Sequence, residues 1–417
     1  MRDLIAFSRI FFSAALLAGV LSISAHGLDV GGNINSRTGL ENTTPSLRNS
    51  VSLFVRRNPV TTEDGSLRWV VEGSVTAFTA EDDDGEMQTQ WVPDLSILRV
   101  RGTASGLAGP GTALRYRFGR IPFADGSRLI FSDRIDGARF DLDLARTTIT
   151  IAAGYTGLLA GRNSGIVVSA DDSIDREDPD TYSGSQRIVT AAGLRFPEFI
   201  GRQTATLGGL AQFDVRGEYE AQRVHSQYAY LQLDGPLFGD LYYELGGAGS
   251  FAWISEVDVD DGELLDPDLL IGLSGRLQTR LYLGANEESV IDARARYATG
   301  PGEPVGSFVP IATAPPDVLS AVARSDVAHF MLNYAYRPFA GHPGGRARSL
   351  EIAAYSAVDY PADFAVDGPF RGLEAGGRIT TRFFSDLGAR LMAGAHIPGD
   401  DDEDVRFLGR LDISTSF

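Results

Sequence analysis

The last thirteen residues, Val405–Phe417, read V-R-F-L-G-R-L-D-I-S-T-S-F. Alternate positions form a largely apolar set of Val405, Phe407, Gly409, Leu411, Ile413, Thr415 and Phe417, and a largely polar set of Arg406, Leu408, Arg410, Asp412, Ser414 and Ser416. Because side chains alternate across a β-strand, this period of two predicts a strand with one apolar and one polar face. Strands of soluble domains have about five or six residues. A strand that crosses a bilayer at a tilt needs about nine to eleven.

The same alternation recurs upstream and predicts about eighteen strands. Counted from the carboxyl end, the further segments lie at about 387–397, 371–383, 348–358, 327–337, 289–298, 269–282, 241–254, 224–234, 203–217, 187–196, 147–157, 135–145, 112–121, 95–105, 66–79, 46–57 and 28–35. Sixteen strands are the alternative, because segments 135–145 and 28–35 alternate least clearly. Both numbers are even, as single-chain bacterial barrels require.

The connections between these segments alternate between short turns and longer polar loops. Short connections are Ser385–Asp386, Gly284–Glu288, Gly235–Asp240 and Gly106–Gly111, and long ones are Gly399–Asp404, Tyr360–Phe370, Gly300–Arg324, Ile254–Asp268, Gly161–Gln186 and Ala80–Asp94. Transmembrane barrels have short periplasmic turns and long extracellular loops. The sequence therefore predicts an all-β fold, a transmembrane antiparallel up-and-down β-barrel. A large soluble β-protein is the alternative, and the absence of a fixed-length repeat counts against it.

The composition excludes several classes of protein. Among 417 residues there is no cysteine, which excludes disulfides and thiolate metal sites. The net charge of -18 argues against a nucleic-acid partner, which requires a basic surface. A mean hydropathy of -0.06 is too polar for a bundle of membrane helices. All 37 basic residues of the Lys+Arg total are arginines.

The amino terminus resembles an export signal. Arg2 and Arg9 precede or flank an apolar run from Ile10 to Leu21, which is too short to span a bilayer as a helix. A cleavage site of small residues follows at 25–27. We therefore predict a signal peptide over 1–27 and a single barrel domain over 28–417, located in the outer membrane. A plain membrane anchor is the alternative.

Arginine dominates the polar faces of the segments. The pore-lining candidates are Arg99, Arg101, Arg115, Arg117, Arg139, Arg276, Arg280, Arg294, Arg296, Arg378, Arg382, Arg390, Arg406 and Arg410. Arginine keeps its charge and binds carboxylate or phosphate through two parallel hydrogen bonds. Such an excess predicts a lumen that favours anionic solutes, as rings of arginine do in anion pores. Alternatively, the arginines pair with acids such as Asp141 and Asp292 and stiffen the wall.

The segment from Phe118 to Asp143 carries more apolar residues than a water-exposed loop needs, including Ile121, Phe123, Leu129, Ile130 and Phe131. It predicts a loop that folds back into the barrel. Asp125, Arg128, Asp133 and Arg134 are then candidates for a constriction. A short extracellular hairpin is the alternative.

With its signal peptide, amphipathic strands and terminal Phe417, the chain resembles the outer-membrane porins of Gram-negative-type bacteria. The stretch from Gly119-Arg120-Ile121-Pro122 to Asp136-Gly137 is similar to a segment of substrate-selective porins and alginate-export-type barrels. The resemblance implies a passive channel for small hydrophilic solutes, outer-membrane lipid around it, and recognition of Phe417 by the barrel-assembly machinery. A homotrimer is one option that it leaves open.

Other functions have weaker support in the sequence. The acidic stretches at 81–84, 171–180, 256–268 and 400–404 do not have EF-hand spacing, so we expect solvated loops and no metal or other cofactor. His225 and Ser226 are neighbours on one strand and point to opposite faces, which excludes them as a catalytic pair. We therefore expect a channel and no enzyme. The alternative is a closed structural or adhesin-like barrel whose acidic loops are functional.

Overall fold

The computed structural model describes residues 28–417 except 43, 58, 63–64, 82–86, 108, 179–180, 218–221, 256–267, 285–287, 301–305, 313–318, 320–324, 341–348, 363–369, 385 and 401–402. The predicted signal peptide over 1–27 lies outside the described residues, as do most of the acidic stretches 81–84 and 256–268. No helix among the described residues is long and apolar enough to cross a membrane.

Nineteen strands follow one another in the described chain. They are β1 (Leu28–Glu41), β2 (Thr44–Arg57), β3 (Val60–Thr62), β4 (Gly65–Glu81), β5 (Met87–Ser105), β6 (Ala113–Ala124), β7 (Ser132–Asp143), β8 (Thr148–Tyr155), β9 (Arg187–Ile200), β10 (Gln203–Asp214), β11 (Arg223–Phe238), β12 (Leu241–Ser255), β13 (Asp268–Leu283), β14 (Ser289–Ala298), β15 (Val327–Tyr336), β16 (Glu351–Tyr360), β17 (Gly372–Arg382), β18 (Leu387–Pro398) and β19 (Arg406–Ser416).

The strands form one closed antiparallel barrel. Each long strand pairs with its neighbours in the chain, and β1 pairs with β19, placing Asn33 opposite Ser416. The short β3 pairs only with β4. Eighteen strands therefore form the barrel wall within the described chain, as predicted. The segment at 135–145 is present as β7, so the sixteen-strand alternative is wrong.

The two faces of the wall differ as the alternation predicts. On β15, Phe330, Leu332 and Tyr334 are exposed on the outside, while Met331 and Asn333 between them are buried on the lumen side. Closing the sheet gives each of the eighteen long strands two neighbours, which supply hydrogen-bond partners that backbone amides need in hydrocarbon. The exposed apolar exterior is the expected counterpart of a lipid surface.

The barrel has a turn end and a loop end. The turn end holds Phe417 and short connections such as 201–202 and 239–240, and the loop end holds the connections 125–131, 156–186 and 299–326. The alternation of length is broken in several places: 337–350 is long at the turn end, and 42–43 and 82–86 are short at the loop end. The predicted long loop Ala80–Asp94 is also wrong, because β4 continues to Glu81 and β5 starts at Met87.

Three connections of the loop end fold into the barrel and form an apolar core there. Their buried members are Leu129, Ile130, Phe131, Leu159, Ile166, Phe308, Ile311 and Ala312. They pack against wall residues Ala152, Val189, Leu210, Tyr228, Ala248, Ala298 and Val327, which belong to β8–β12, β14 and β15. One short helix, α1 (Ala170–Glu177), lies in the connection 156–186. The loop core thus occupies the side of the lumen bounded by β8–β15.

Candidate functional site: a lumen bounded by inward loops and arginines

Hydrogen bonds between the Asp125 carboxylate and nearby backbone N–H groups hold the tip of the β6–β7 connection in shape. The carboxylate of Asp125 accepts hydrogen bonds from the backbone N–H groups of Ser127, Ile130 and Phe131, at 2.8, 3.2 and 2.8 Å. Asp125 is itself buried. A carboxylate that satisfies several backbone donors replaces the hydrogen bonds that strands would otherwise supply. Asp125 therefore shapes the loop and does not face the lumen as a free charge.

The β6–β7 and β14–β15 connections are joined inside the lumen by main-chain hydrogen bonds. The N–H groups of Ile311 and Ala312 donate to the carbonyl of Ile130, at 3.0 and 3.1 Å. The N–H of Ser132 donates to the carbonyl of Ala312 at 2.7 Å. These bonds satisfy backbone groups that would otherwise be buried without partners. The two loops therefore form one unit.

The β8–β9 connection crosses to the opposite wall. Its residue Asn163 accepts a hydrogen bond from Arg48 of β2 at 3.2 Å. The guanidinium groups of Arg48 and Arg162 lie 4.8 and 5.3 Å from the centroid of the Phe78 ring on β4. Such cation–π contacts are each worth about 0.5–2 kcal/mol, depending on desolvation. This loop therefore narrows the lumen near β2 and β4.

A buried charge cluster fastens α1 to the wall. Asp172 of α1 lies 2.8 Å from Arg187 and 3.1 Å from Arg216. Asp214 at the end of β10 lies 3.1 Å from Arg187 and 2.6 Å from Arg216. Buried charges persist only when they are paired and hydrogen-bonded in this way. No local sequence pattern predicts this cluster, because its members come from three separate segments.

A row of four arginines crosses adjacent strands on the lumen face, and we call it the arginine row. Arg68 is opposite Arg101, Arg101 is opposite Arg117, and Arg117 is opposite Arg139. Side chains opposite each other in a sheet lie about 5 Å apart at Cβ, and like charges there repel. Within the described chain, the one acid that forms ion pairs with the row is Asp141, at 3.7 Å from Arg117 and 2.9 Å from Arg139.

Several other predicted pore arginines are paired with acids. The pairs are Arg115–Asp143, Arg276–Glu244, Arg280–Asp292, Arg294–Asp292, Arg378–Glu351, Arg406–Glu41 and Arg410–Asp412. Arg99 lies beside the arginine row, two residues before Arg101 on the same face of β5 and nearer the loop end. Arg296 is opposite Arg276 on the lumen face. The arginine row and the acid-paired arginines thus occupy different positions of one wall.

A polar cavity of about 900 Å³ lies at the turn end, between β17–β19 and β1–β2. Its charged lining includes Arg37, Arg48, Arg382, Arg390, Arg410 and Asp412. Asparagine, serine and threonine side chains make up most of the remaining lining, which also includes Asp386. The cavity and the arginine row lie on the part of the wall that the loop core leaves uncovered.

The four constriction candidates occupy different positions. Arg128 is exposed at the loop tip with a φ of 56°, and its neighbours Ser127 and Leu129 lie within 4 Å of the place that a Cβ on Gly246 of β12 would take. Asp133 accepts hydrogen bonds from Ser164 and Gly165 of the β8–β9 connection. Arg134 pairs with Asp94 at 2.8 Å. Arg128 is therefore the candidate that faces open lumen.

Two of the histidines, His329 and His225, contact aspartates on neighbouring strands. His329 pairs with Asp359 at 2.6 Å, and no group of three or more ligating side chains that could hold a metal ion is found among the described residues. His225 accepts a hydrogen bond from the backbone N–H of Asp214.

The fold of the chain is similar to solved structures from Pseudomonas aeruginosa. OccK2 (OpdF) matches with a TM-score of 0.58 and 14% identity, over 94% of this chain and 97% of that chain. The chain has a porin fold. OccK9 (OpdG) matches with a TM-score of 0.58 and 11% identity, over 94% and 98%. OpdK with vanillate matches with 0.55 and 9%, over 94% and 98%. No family model and no curated protein matches the chain.

Proposed function

We propose that the protein is an outer-membrane porin, a passive diffusion channel for small hydrophilic solutes that prefers anions. The arginine row carries the proposal, since four guanidinium groups on adjacent strands have one acid, Asp141, as their ion-pair partner in the described chain. A wall that needed only stiffening would pair such charges, because like charges opposite each other destabilise a sheet. Their retention fits a role in attracting negative solutes.

The solved neighbours support a channel for anions. OccK2 was crystallised with glucuronate and OpdK with vanillate, and both of these small molecules carry a carboxylate. Guanidinium groups recognise carboxylates through paired hydrogen bonds. The apolar exterior supports the outer membrane as the location, with the turn end towards the periplasm.

The ends of the chain complete the proposal. Residues 1–27 serve as the export signal, and Phe417 serves as the recognition signal for the barrel-assembly machinery. Phe417 is well placed for closure, because it exchanges backbone hydrogen bonds of 3.0 and 3.1 Å with Gly32 on β1. A homotrimer is an open option for the assembly.

Single-channel recording in a planar bilayer tests the channel and its preference. The native protein is expected to conduct in discrete steps, with a reversal potential in a salt gradient that reports anion preference. Replacing Arg101 or Arg117 of the row with Glu reverses one charge in the row and is expected to reduce or invert that preference. The same test applies to Arg99 and Arg115 beside the row.

Arg202→Glu is the matched control, because Arg202 lies exposed in the β9–β10 turn. It changes the net charge by the same amount and should leave the reversal potential unaltered. A purified barrel that inserts and never conducts would contradict the channel. That result would favour the closed structural barrel.

A further inference from the structure

The barrel wall forks between β5 and β6. Pairing of these strands runs from Ser105–Ala113 at the turn end to Leu98–Arg120, and stops there. Beyond the fork, 87–97 of β5 pairs only with β4, and 121–124 of β6 pairs only with β7. The hairpin tip of β6 and β7 leaves the wall at this point and enters the lumen, where Ile121 and Ile135 are fully buried.

Arg120 lies at the branch point and is buried. It donates two hydrogen bonds of 2.8 Å to the carboxylate of Asp136 on β7. It also donates to the carbonyl of Leu95 on β5 at 2.6 Å and to that of Leu158 in the β8–β9 connection at 2.7 Å. A planar guanidinium has five N–H donors, and this one uses them on three separate elements.

The open edge of β5 is held by the same group of residues. Asp94 of β5 lies 3.3 Å from Arg120 and 2.8 Å from Arg134 of β7. The hydroxyl of Tyr182, in the β8–β9 connection, donates to the carbonyl of Pro93 at 2.7 Å. Proline has no N–H to leave unpaired, so it suits a strand edge without a neighbour.

One glycine beside Arg120 and one beside its partner Asp136 allow neighbouring strands to approach closely. Gly119 has a φ of 98°, and a Cβ there would lie 1.9 Å from the carbonyl oxygen of Leu98. Gly137, opposite Gly119, would place a Cβ 2.0 Å from the carbonyl oxygen of Ala153. Only glycine fits both positions. The segments Gly119-Arg120 and Asp136-Gly137 thus build the fork together.

We propose that Arg120 is a positioning residue that sets the width of the channel by holding the β6–β7 hairpin at its inward angle. This inference rests on the proposed channel function. Without the guanidinium, the partly buried carboxylate of Asp136 loses this partner, and the buried carboxylate of Asp94 keeps only Arg134. Uncompensated buried charge is strongly unfavourable. The hairpin therefore moves to an angle at which water can solvate the carboxylates.

The test compares Arg120→Gln with the native channel, using graded neutral polyethylene glycols to measure the size of molecule that enters. The variant should admit larger polymers and show a higher, noisier single-channel conductance. Its anion preference should stay native, because the arginine row is intact. Arg101→Glu should show the opposite pattern, with a changed anion preference and an unchanged size limit. A substitution that only lowers the yield of folded barrel would change neither the size limit nor the ion preference, since each recording follows one inserted channel.

Two further variants keep the test decisive if Arg120→Gln does not fold. Asp136→Asn keeps the side-chain size and removes the charge, and should raise the size limit by a smaller step. Arg120→Lys supplies three donors in place of five. A native channel that does not conduct would overturn the proposed function itself. A conducting native channel with native size limits in the folded variants would overturn the positioning role alone.

Discussion

A single glycine accounts for the packing of the terminal aromatic residue. A Cβ on Gly32 would lie 2.5 Å from the ring of Phe417, so the ring occupies the space of a missing side chain. The two residues also share backbone hydrogen bonds that help to close the barrel between β1 and β19.

Gly32→Val is expected to displace the Phe417 ring and destabilise the closed barrel by about 1–3 kcal/mol, the usual cost of overpacking. The temperature at which the folded barrel loses its heat-modifiable gel mobility should fall. Gly247→Val is the control, because a Cβ there would meet nothing within 4 Å. Equal melting of the two variants would contradict the packing role of Phe417.

At the residue scale the sequence predicts faces better than partners. Arg101 and Arg117 lie on the lumen face as the alternation indicates, because the period of two is a local property of the chain. The partner of Asp125 could not be predicted, since a charged residue in a loop has many acceptable positions. Its actual partners are the backbone groups at 127, 130 and 131.

At the scale of elements, α1 depends on one carboxylate. Burial raises the pKa of the Asp172 carboxyl, but Arg187, the backbone N–H of Val168 and Arg216 together outweigh burial and hold its pKa below the usual range. A carboxyl with a lowered folded-state pKa adds stability that is present above its unfolded pKa of about 3.9. That stability is lost as the pH falls through the folded-state pKa.

We therefore expect acidification below about pH 4 to release α1 from the wall. The protection factors of the 170–177 amides, which are corrected for the pH dependence of intrinsic exchange, should fall at that pH in the native protein. Asp172→Asn should show low protection factors already at neutral pH and little further change in them with acid. Glu177→Gln, at the exposed end of α1, should behave as native. Native-like protection in Asp172→Asn would contradict the role of the cluster.

The error in the 80–94 region has a physical cause at the same scale. The register of β4 and β5 shifts between Glu72 and Ser74, so the alternation changes phase within β5. Asp94 faces inward before the shift, and Arg99 faces inward after it. A strand predicted from one uninterrupted alternation of apolar and polar residues therefore ends at such a bulge. The inward loops were partly predictable, because apolar residues at 118–143 had no other place to be buried.

At the scale of the whole molecule, a chain with a net charge of -18 encloses an arginine row. The preference of the channel should therefore follow the local charges of the lumen and not the net charge. Exposed charges lose influence as salt shortens the Debye length from about 10 Å at 0.1 M to about 3 Å at 1 M. Raising the salt over that range should weaken the anion preference of the native channel while stepwise conductance persists.

The salt dependence distinguishes the arginine row from selection by pore size. The reversal potential, measured at a constant ratio of salt across the bilayer, should fall towards zero as both sides are concentrated. Arg117→Glu should start from a smaller preference and lose less of it, because part of the screened field is already removed. A preference that stays constant from 0.1 M to 1 M would mean that size and contact select the ions. In that case the arginine row would serve the wall alone, in the manner of the Arg280–Asp292 pair.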